Sequence, residues 1–294
     1  MLYIETEVPQ KSVKHMARFA LRWWWPENDD GAGAAVQMRD GSVRIEKGLA
    51  APKHLFKRIP LARRFMAHVR AGTHGSRETK NAHPFMTCDG RSAFIHNGII
   101  YGYAALKQRL IAKGHKFTSD TDSEVIMHLG EEVGPEGLTA AMDKEGITGR
   151  ANWVWMTPEK TFAFSDGSLY LVTNDMGMKV GLFSDITWCE KGFFKKPKEL
   201  PTGTFLTIEK GVVRRKNQMP IKAHVVNYNA TSWLNNDPWW QEFLARSRSS
   251  PSTGKSGGDS ERSPDSPRTD VKRCNRHGTV GYEKKCQQCM RETK

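Results

Sequence analysis

From the N-terminus to about residue 220, short apolar or β-branched runs alternate with breaks at Gly, Asp and Asn. Runs of this length between turn residues predict strands. The candidates are GAAVQM, SVRIEKG, RFMAHVRAG, SAFIHNGII, ANWVWMT, TFAFSDG, LYLVTND, KVGLFSD and TFLTIEKG. Turn dipeptides such as Asp40-Gly41 and Asp89-Gly90 suit tight hairpins, so a largely antiparallel architecture is expected. Helical spacing fits QKSVKHMARFALRWWW, YAALKQRLIAKG and SDTDSEVIMHLGEEV. In the second of these Leu106 and Leu110 share a face, and Gly114 stands where a helix would end. The pattern is α+β, with helices in the first half between strands that carry polar motifs.

Beyond residue 220 the pattern changes. Residues 221–246 hold Trp233, Trp239 and Trp240 and read as a Trp-rich strap packed on the preceding domain. Residues 247–270 are rich in Ser, Pro, Gly, Arg and Asp without an aromatic residue; such a segment cannot offset its ordering entropy and reads as a disordered linker. Residues 271–294 contain Cys274, His277, Cys286 and Cys289, two pairs with two residues between the members of each. That spacing suits one tetrahedral Zn2+, and four protein ligands leave no open position, so the expected zinc is structural.

Charge and composition narrow the classes. The net charge of +13 invites a nucleic-acid reading, but from Arg246 onward twelve Lys/Arg face six Asp/Glu, so almost half the surplus lies in the tail. Lys272, Arg273, Arg276, Lys284 and Lys285 beside the zinc ligands suit RNA, DNA or an acidic protein surface. No run of about eighteen apolar residues appears and no basic-then-apolar leader opens the sequence, so no membrane partner, no secretory signal and a cytoplasmic location are expected. The five cysteines, three of them in the last twenty-one residues, favour a metal site over disulfides.

Three segments, HVRAGTHG, FIHNGII and FTSDTDSEVI, put polar groups at the ends of apolar strands or at a helix start. A site for a free amino acid needs a planar cation for the α-carboxylate and an anion for the α-ammonium. Arg70 and Asp122 supply both. Cleaving a side-chain amide further needs donors for an oxyanion, and Asn97 offers a side-chain NH2 while Gly98 offers an unobstructed backbone N–H. Taken singly, each has an ordinary reading: an ion pair for Arg70, a common turn for the Asn97-Gly98 pair, and core histidines for His68 and His96.

DDGAG, HVRAGTHG, NAHPF, HNGII and SDTDSEVI, in this order, resemble the glutaminase domain of class II glutamine amidotransferases, which are N-terminal nucleophile (Ntn) hydrolases; the motifs lie nearest those of glucosamine-6-phosphate synthases. The resemblance covers about residues 1–220 and implies a four-layer αββα sandwich. It implies that Arg70 binds the carboxylate of L-glutamine, that Thr73 and His74 form the neighbouring substrate loop, that Asp122 takes the ammonium, and that Asn97 and Gly98 form the oxyanion hole. The glutaminase chemistry itself needs no cofactor.

One departure stands out. The family's nucleophile is a cysteine at the mature N-terminus with its own α-amine as base, a group whose ordinary pKa near 8 suits the task. This sequence opens Met1-Leu2-Tyr3-Ile4, and an ungapped register sets Leu2 at the cysteine's place. Cys88 and Cys189 are internal and lack a free amine; Cys88 reads as a hairpin residue. Either a cysteine lies upstream of Met1, the favoured reading, or amide hydrolysis is lost and the pocket kept. The expected functions are accordingly a glutaminase delivering ammonia to an acceptor enzyme in trans, or a glutamine-binding scaffold whose zinc tail docks on a partner.

Overall fold

The computed structural model describes residues 1–8, 21, 25–73, 75–175, 178–185, 197–218 and 220–222, together with the backbone of 271–273 and 280–282. Two compact units divide the chain, Met1–Thr231 and Ser232–Lys294. In the second, β14 (Val271–Arg273) pairs antiparallel with β15 (Val280–Tyr282), Val271 opposite Tyr282. The zinc-ligand candidates Cys274, His277, Cys286 and Cys289, the linker at 247–270 and the three strap tryptophans lie outside the described residues.

The first unit is built on two antiparallel sheets. One has seven strands, in the order β11 (Lys198–Leu200), β9 (Leu169–Asp175), β10 (Met178–Phe183), β1 (Leu2–Thr6), β4 (Arg64–Arg70), β2 (Gly31–Gln37) and β3 (Val43–Gly48). The other runs β13 (Val212–Asn217), β12 (Thr204–Glu209), β8 (Thr161–Ser165), β7 (Thr148–Met156), β6 (Ala93–Tyr101) and β5 (Phe85–Met86). All nine sequence-predicted strands are present, and both hairpins form where expected: β2–β3 turns at Asp40-Gly41 and β5–β6 at Asp89-Gly90. Gly41 and Gly90 adopt φ of 86° and 69°, which those turns demand.

Period two places the cores. Met1, Tyr3, Ala35, Met66, Ile95, Val154, Ala163, Val180 and Leu206 point between the sheets and form the central apolar layer. The opposite face of the seven-stranded sheet, with Leu2, Ile4, Ala67 and Phe183, is covered by Leu21 and by α1 (Pro52–Leu55) with Phe56 and Ile59. The outer face of the six-stranded sheet, with Phe94, Trp153, Trp155 and Phe164, is covered by α2 (Tyr103–Ala112), α3 (Asp122–Val133) and α4 (Leu138–Lys144). Gly130 on α3 lies so close to the indole of Trp155 that a Cβ would come within 2.3 Å of it.

The helix expected over residues 10–25 falls mostly on residues outside the description. The other two expected helices are α2 and α3. Among the described residues of the first unit, four strands and two helices were not anticipated. β1 and β5 are short and β1 is buried on both faces, so it shows no alternation; β13 is an exposed edge carrying Arg214, Arg215 and Lys216 and reads as a solvated loop. The remaining surprises, β11, α1 and α4, are only three to seven residues long, and tertiary contacts decide such lengths.

Candidate functional site

The ends of β4 and β6 and the start of α3 converge on a cavity of about 110 Å³. Arg70, Thr73, Asn97, Gly98 and Asp122 all line it. Five of the six amidotransferase-type residues read from the sequence therefore share one space; the sixth, His74, lies outside the described residues. The size suits a small polar molecule, a few waters' worth by volume, well below that of drug-sized pockets.

Arg70 is the last residue of β4, facing Gly31 across the sheet, and is buried. Its guanidinium donates from Nη1 to the Ser76 carbonyl at 3.2 Å and from Nη2 to the Gly75 carbonyl at 3.1 Å. It thereby fixes the loop that carries Thr73. Gly72 folds over the guanidinium, and a Cβ there would stand 3.0 Å from Nη1. Asp30 Oδ2 accepts from the Gly72 amide at 2.8 Å, which ties the DDGAG segment to the same loop.

Asp122 opens α3. Thr121 caps the helix, its hydroxyl accepting from the Glu124 amide at 3.4 Å. Asp122 turns back toward β6, where Oδ2 accepts from the Ile100 amide at 2.8 Å and Oδ1 from the Ser123 amide at 2.9 Å. A buried carboxylate at a helix N-terminus is favoured by the local dipole. Arg70 and Asp122 thus place opposite charges at the buried end of the cavity, while Thr73, Asn97 and Gly98 are exposed at its rim.

Asn97 Nδ2 donates to Ser184 Oγ at 2.8 Å, and the Met1 amine donates to the same oxygen at 3.1 Å. This corrects the ungapped register. Leu2 points away from the cavity into the outer core with Ala67 and Phe183, and the backbone beside Asn97 is that of Met1. The reason is the period of β1: Leu2 and Ile4 share one face and Met1 and Tyr3 the other. Burial drives the pKa of the Met1 amine down to about 5, against the opposing pull of Asp185.

Three histidines add to the site. His96 Nδ1 is 2.9 Å from Ser123 Oγ, joining β6 to α3. The ring centroids of His68 and His83 are 4.3 Å apart, the planes tilted by 38°. Burial first, then neighbouring positive groups including Arg70, push both well below the ordinary histidine value, so both are neutral. His68 Nδ1 and both ring nitrogens of His83 are buried without a hydrogen-bond partner among the described residues. His68 and His96 therefore line the cavity instead of filling an apolar core, and His83 and Ser123 join it unanticipated. His83 lies in NAHPF and Ser123 in SDTDSEVI, segments whose order was legible but whose individual roles were not.

Residues 58–147, which supply β4, β6 and the start of α3, match the family model of a glutamine amidotransferase domain. Over these residues the chain is similar to glutamine amidotransferase domains. The chain is 37% identical over 145 residues to the glutamine–fructose-6-phosphate aminotransferase (isomerizing) of Pyrobaculum aerophilum, across 46% of this chain and 23% of that protein. It is 43% identical over 107 residues to the enzyme of the same name from Thermus thermophilus, across 35% and 18%. The chain thus matches no more than about a quarter of the length of these relatives. In fold it resembles the glutamine phosphoribosylpyrophosphate amidotransferase of B. subtilis, with a TM-score of 0.60 at 20% identity over 75% of this chain and 49% of that one. The first unit accordingly has an Ntn-hydrolase-like α+β fold with antiparallel sheets.

Proposed function

We propose that the cavity binds L-glutamine and that the domain hydrolyses its side-chain amide, releasing glutamate and ammonia for an acceptor enzyme in trans. The observation that carries this reading is the convergence of Arg70, Asp122, Asn97 and Gly98 on one cavity within a class II-type domain. Arg70 binds the α-carboxylate and Asp122 the α-ammonium, and Thr73 and His74 belong to the neighbouring substrate loop. Asn97 Nδ2 and the Gly98 amide receive the oxyanion that forms when a nucleophile attacks the amide carbon; collapse of that intermediate expels ammonia, and water then frees glutamate.

The nucleophile in this reading comes from a cysteine preceding Met1. The Met1 nitrogen lies 3.1 Å from Ser184 Oγ, itself 2.8 Å from Asn97 Nδ2, so the start of β1 and the oxyanion donor share a hydroxyl partner. A protein that begins at Met1 is, on the same geometry, a glutamine-binding scaffold without turnover. The 271–294 segment is proposed to hold a structural zinc through Cys274, His277, Cys286 and Cys289 and to dock by its basic residues on an acidic protein or nucleic-acid surface.

Calorimetry with glutamine beside a glutamate-release assay tests the reading, using a protein that begins at Met1 and one with an N-terminal cysteine placed before it. Both are expected to bind glutamine and only the second to release glutamate. Absence of binding in both, or unchanged binding in Arg70→Ala and Asp122→Ala, overturns the proposal.

A further inference from the structure

Away from the glutamine cavity, four side chains from three separate segments converge: Cys88, His115, His128 and Glu131, with one donor atom of each within 4.8 Å of all the others. Cys88 follows β5 in the Asp89-Gly90 hairpin, which is locked by the Gly90 amide donating to Thr87 O at 2.9 Å. His115 leaves α2 directly after Gly114, whose φ of 98° ends the helix. There the His115 amide donates to Leu110 O and the Gly114 amide to Ile111 O, the paired bonds of a Schellman cap. His128 and Glu131 are three residues apart on one face of α3.

The distances have the proportions of a coordination tetrahedron. Zn–S bonds of about 2.3 Å and Zn–N or Zn–O bonds of about 2.0–2.1 Å give edges of roughly 3.3–3.6 Å. Cys88 Sγ lies 3.7 Å from His115 Nδ1 and 3.6 Å from His128 Nδ1. The two Nδ1 atoms are 3.3 Å apart, and His115 Nδ1 is 3.3 Å from Glu131 Oε2. Of these five edges, the one from His128 Nδ1 to Glu131 Oε2, at 2.5 Å, is short, as for a hydrogen bond across which a cation would open the pair.

A hydrogen-bond network explains the arrangement poorly. Both Nδ1 atoms face the same Glu131 oxygen and each other, so two N–H donors would be held nose to nose, while one donor leaves the other nitrogen's lone pair facing a lone pair. A cation at the centre takes all four lone pairs at once. Beyond each ring stands a carboxylate, Glu132 Oε1 3.6 Å from His115 Nε2 and Glu124 Oε1 3.9 Å from His128 Nε2, both longer than a hydrogen bond. Glu131's other oxygen accepts from the Cys88 amide at 2.5 Å. A cavity of about 630 Å³ reaches Cys88 and His128 and gives an ion a route in.

We propose that Cys88, His115, His128 and Glu131 bind a zinc ion. Thiolate, two imidazoles and a carboxylate are the donor types zinc accepts, and four protein ligands close the coordination sphere, so the ion is structural. Binding releases the Cys88 thiol proton and any Nδ1 protons of the imidazoles to solvent. The ion clips the β5–β6 hairpin and the end of α2 to α3, the helix whose first residue is Asp122. The site is independent of the tail's cysteines and of the glutamine reading.

The test uses the full chain carrying Cys286→Ser and Cys289→Ser, which removes the tail's ligand set. After dialysis, metal analysis by mass spectrometry is expected to find one zinc per chain, and none once Cys88→Ser or His115→Gln is added. Cobalt loading is expected to give tetrahedral visible bands with a thiolate charge-transfer band that Cys88→Ser abolishes. Circular dichroism and cooperative thermal unfolding report whether each variant folds. A folded Cys286→Ser, Cys289→Ser protein that takes up no zinc, or one that keeps its zinc after both Cys88→Ser and His115→Gln, overturns the proposal.

Discussion

Gly98 lies against the carbonyl of Arg150 across the β6–β7 pair so closely that a Cβ would stand 1.8 Å from that oxygen, with φ at 154°. Glycine here serves the sheet before it serves any oxyanion. Two backbones meet at a distance that only a hydrogen on Cα allows, and the same close approach keeps the rim of the cavity free of side chain at this point. Gly98→Ala is expected to force β6 from β7 and to cost roughly 3 kcal/mol or more, seen as a lower midpoint in thermal unfolding. Gly41→Ala, in an open turn with nothing within 4 Å, is expected to cost only about 1 kcal/mol, from its positive φ.

In the proposed function, the charge pair at the buried end of the cavity sets the affinity for glutamine. Arg70→Lys keeps a cation but loses the planar fork that spans Gly75 O, Ser76 O and a ligand carboxylate. Asp122→Asn keeps an acceptor for the Ile100 amide but loses the anion. Each is expected to weaken glutamine binding by about tenfold to a hundredfold, the worth of one charge-assisted contact. Calorimetry checks this, and circular dichroism checks that Asp122→Asn still folds.

Acid should destabilise the domain through His68 and His83. Their folded-state values lie below the ordinary 6.5, so the native state resists protons that the unfolded chain accepts. Stability is therefore complete above about pH 6.5 and falls as the pH drops beneath it, by as much as about 1.4 kcal/mol per pH unit for each histidine. Urea unfolding at pH 7.5 and pH 5.5 is expected to show the drop, and His83→Phe to lessen it.

Arg64 crosses the space between the sheets. Its guanidinium donates to Gln37 Oε1 at 2.7 Å, to Thr157 O at 2.7 Å and to Thr161 Oγ1 at 3.3 Å, and Thr161 in turn donates to Tyr3 Oη at 2.9 Å. Arg64→Ala leaves these partly buried acceptors unpaired and is expected to cost about 1–3 kcal/mol. Unfolding in urea measures it.

Much of this was legible in advance where local chemistry dictates it. Nine strands, two hairpins and the α2 and α3 helices follow from period and turn residues, because those signals act over a few neighbouring positions. Arg70, Asp122, Asn97 and Gly98 were legible as types suited to an amino acid and its amide. Their meeting was not derivable from spacing, since β4, β6 and α3 are brought together only by the packing of the sheets and helices. Leu2 was misplaced because one residue of register in a strand reverses the face it presents.

Cys88 shows the same limit more sharply. In sequence it stands 27 residues from His115 and 40 from His128, and nothing local marks the three as neighbours. The sequence by itself determined which segments become strands and helices and which carry charge, because alternation, turns and caps are short-range. Only the tertiary structure decided that donors from three separate segments converge and that two opposite charges share a cavity, because both depend on how separate elements stack once their apolar faces are buried.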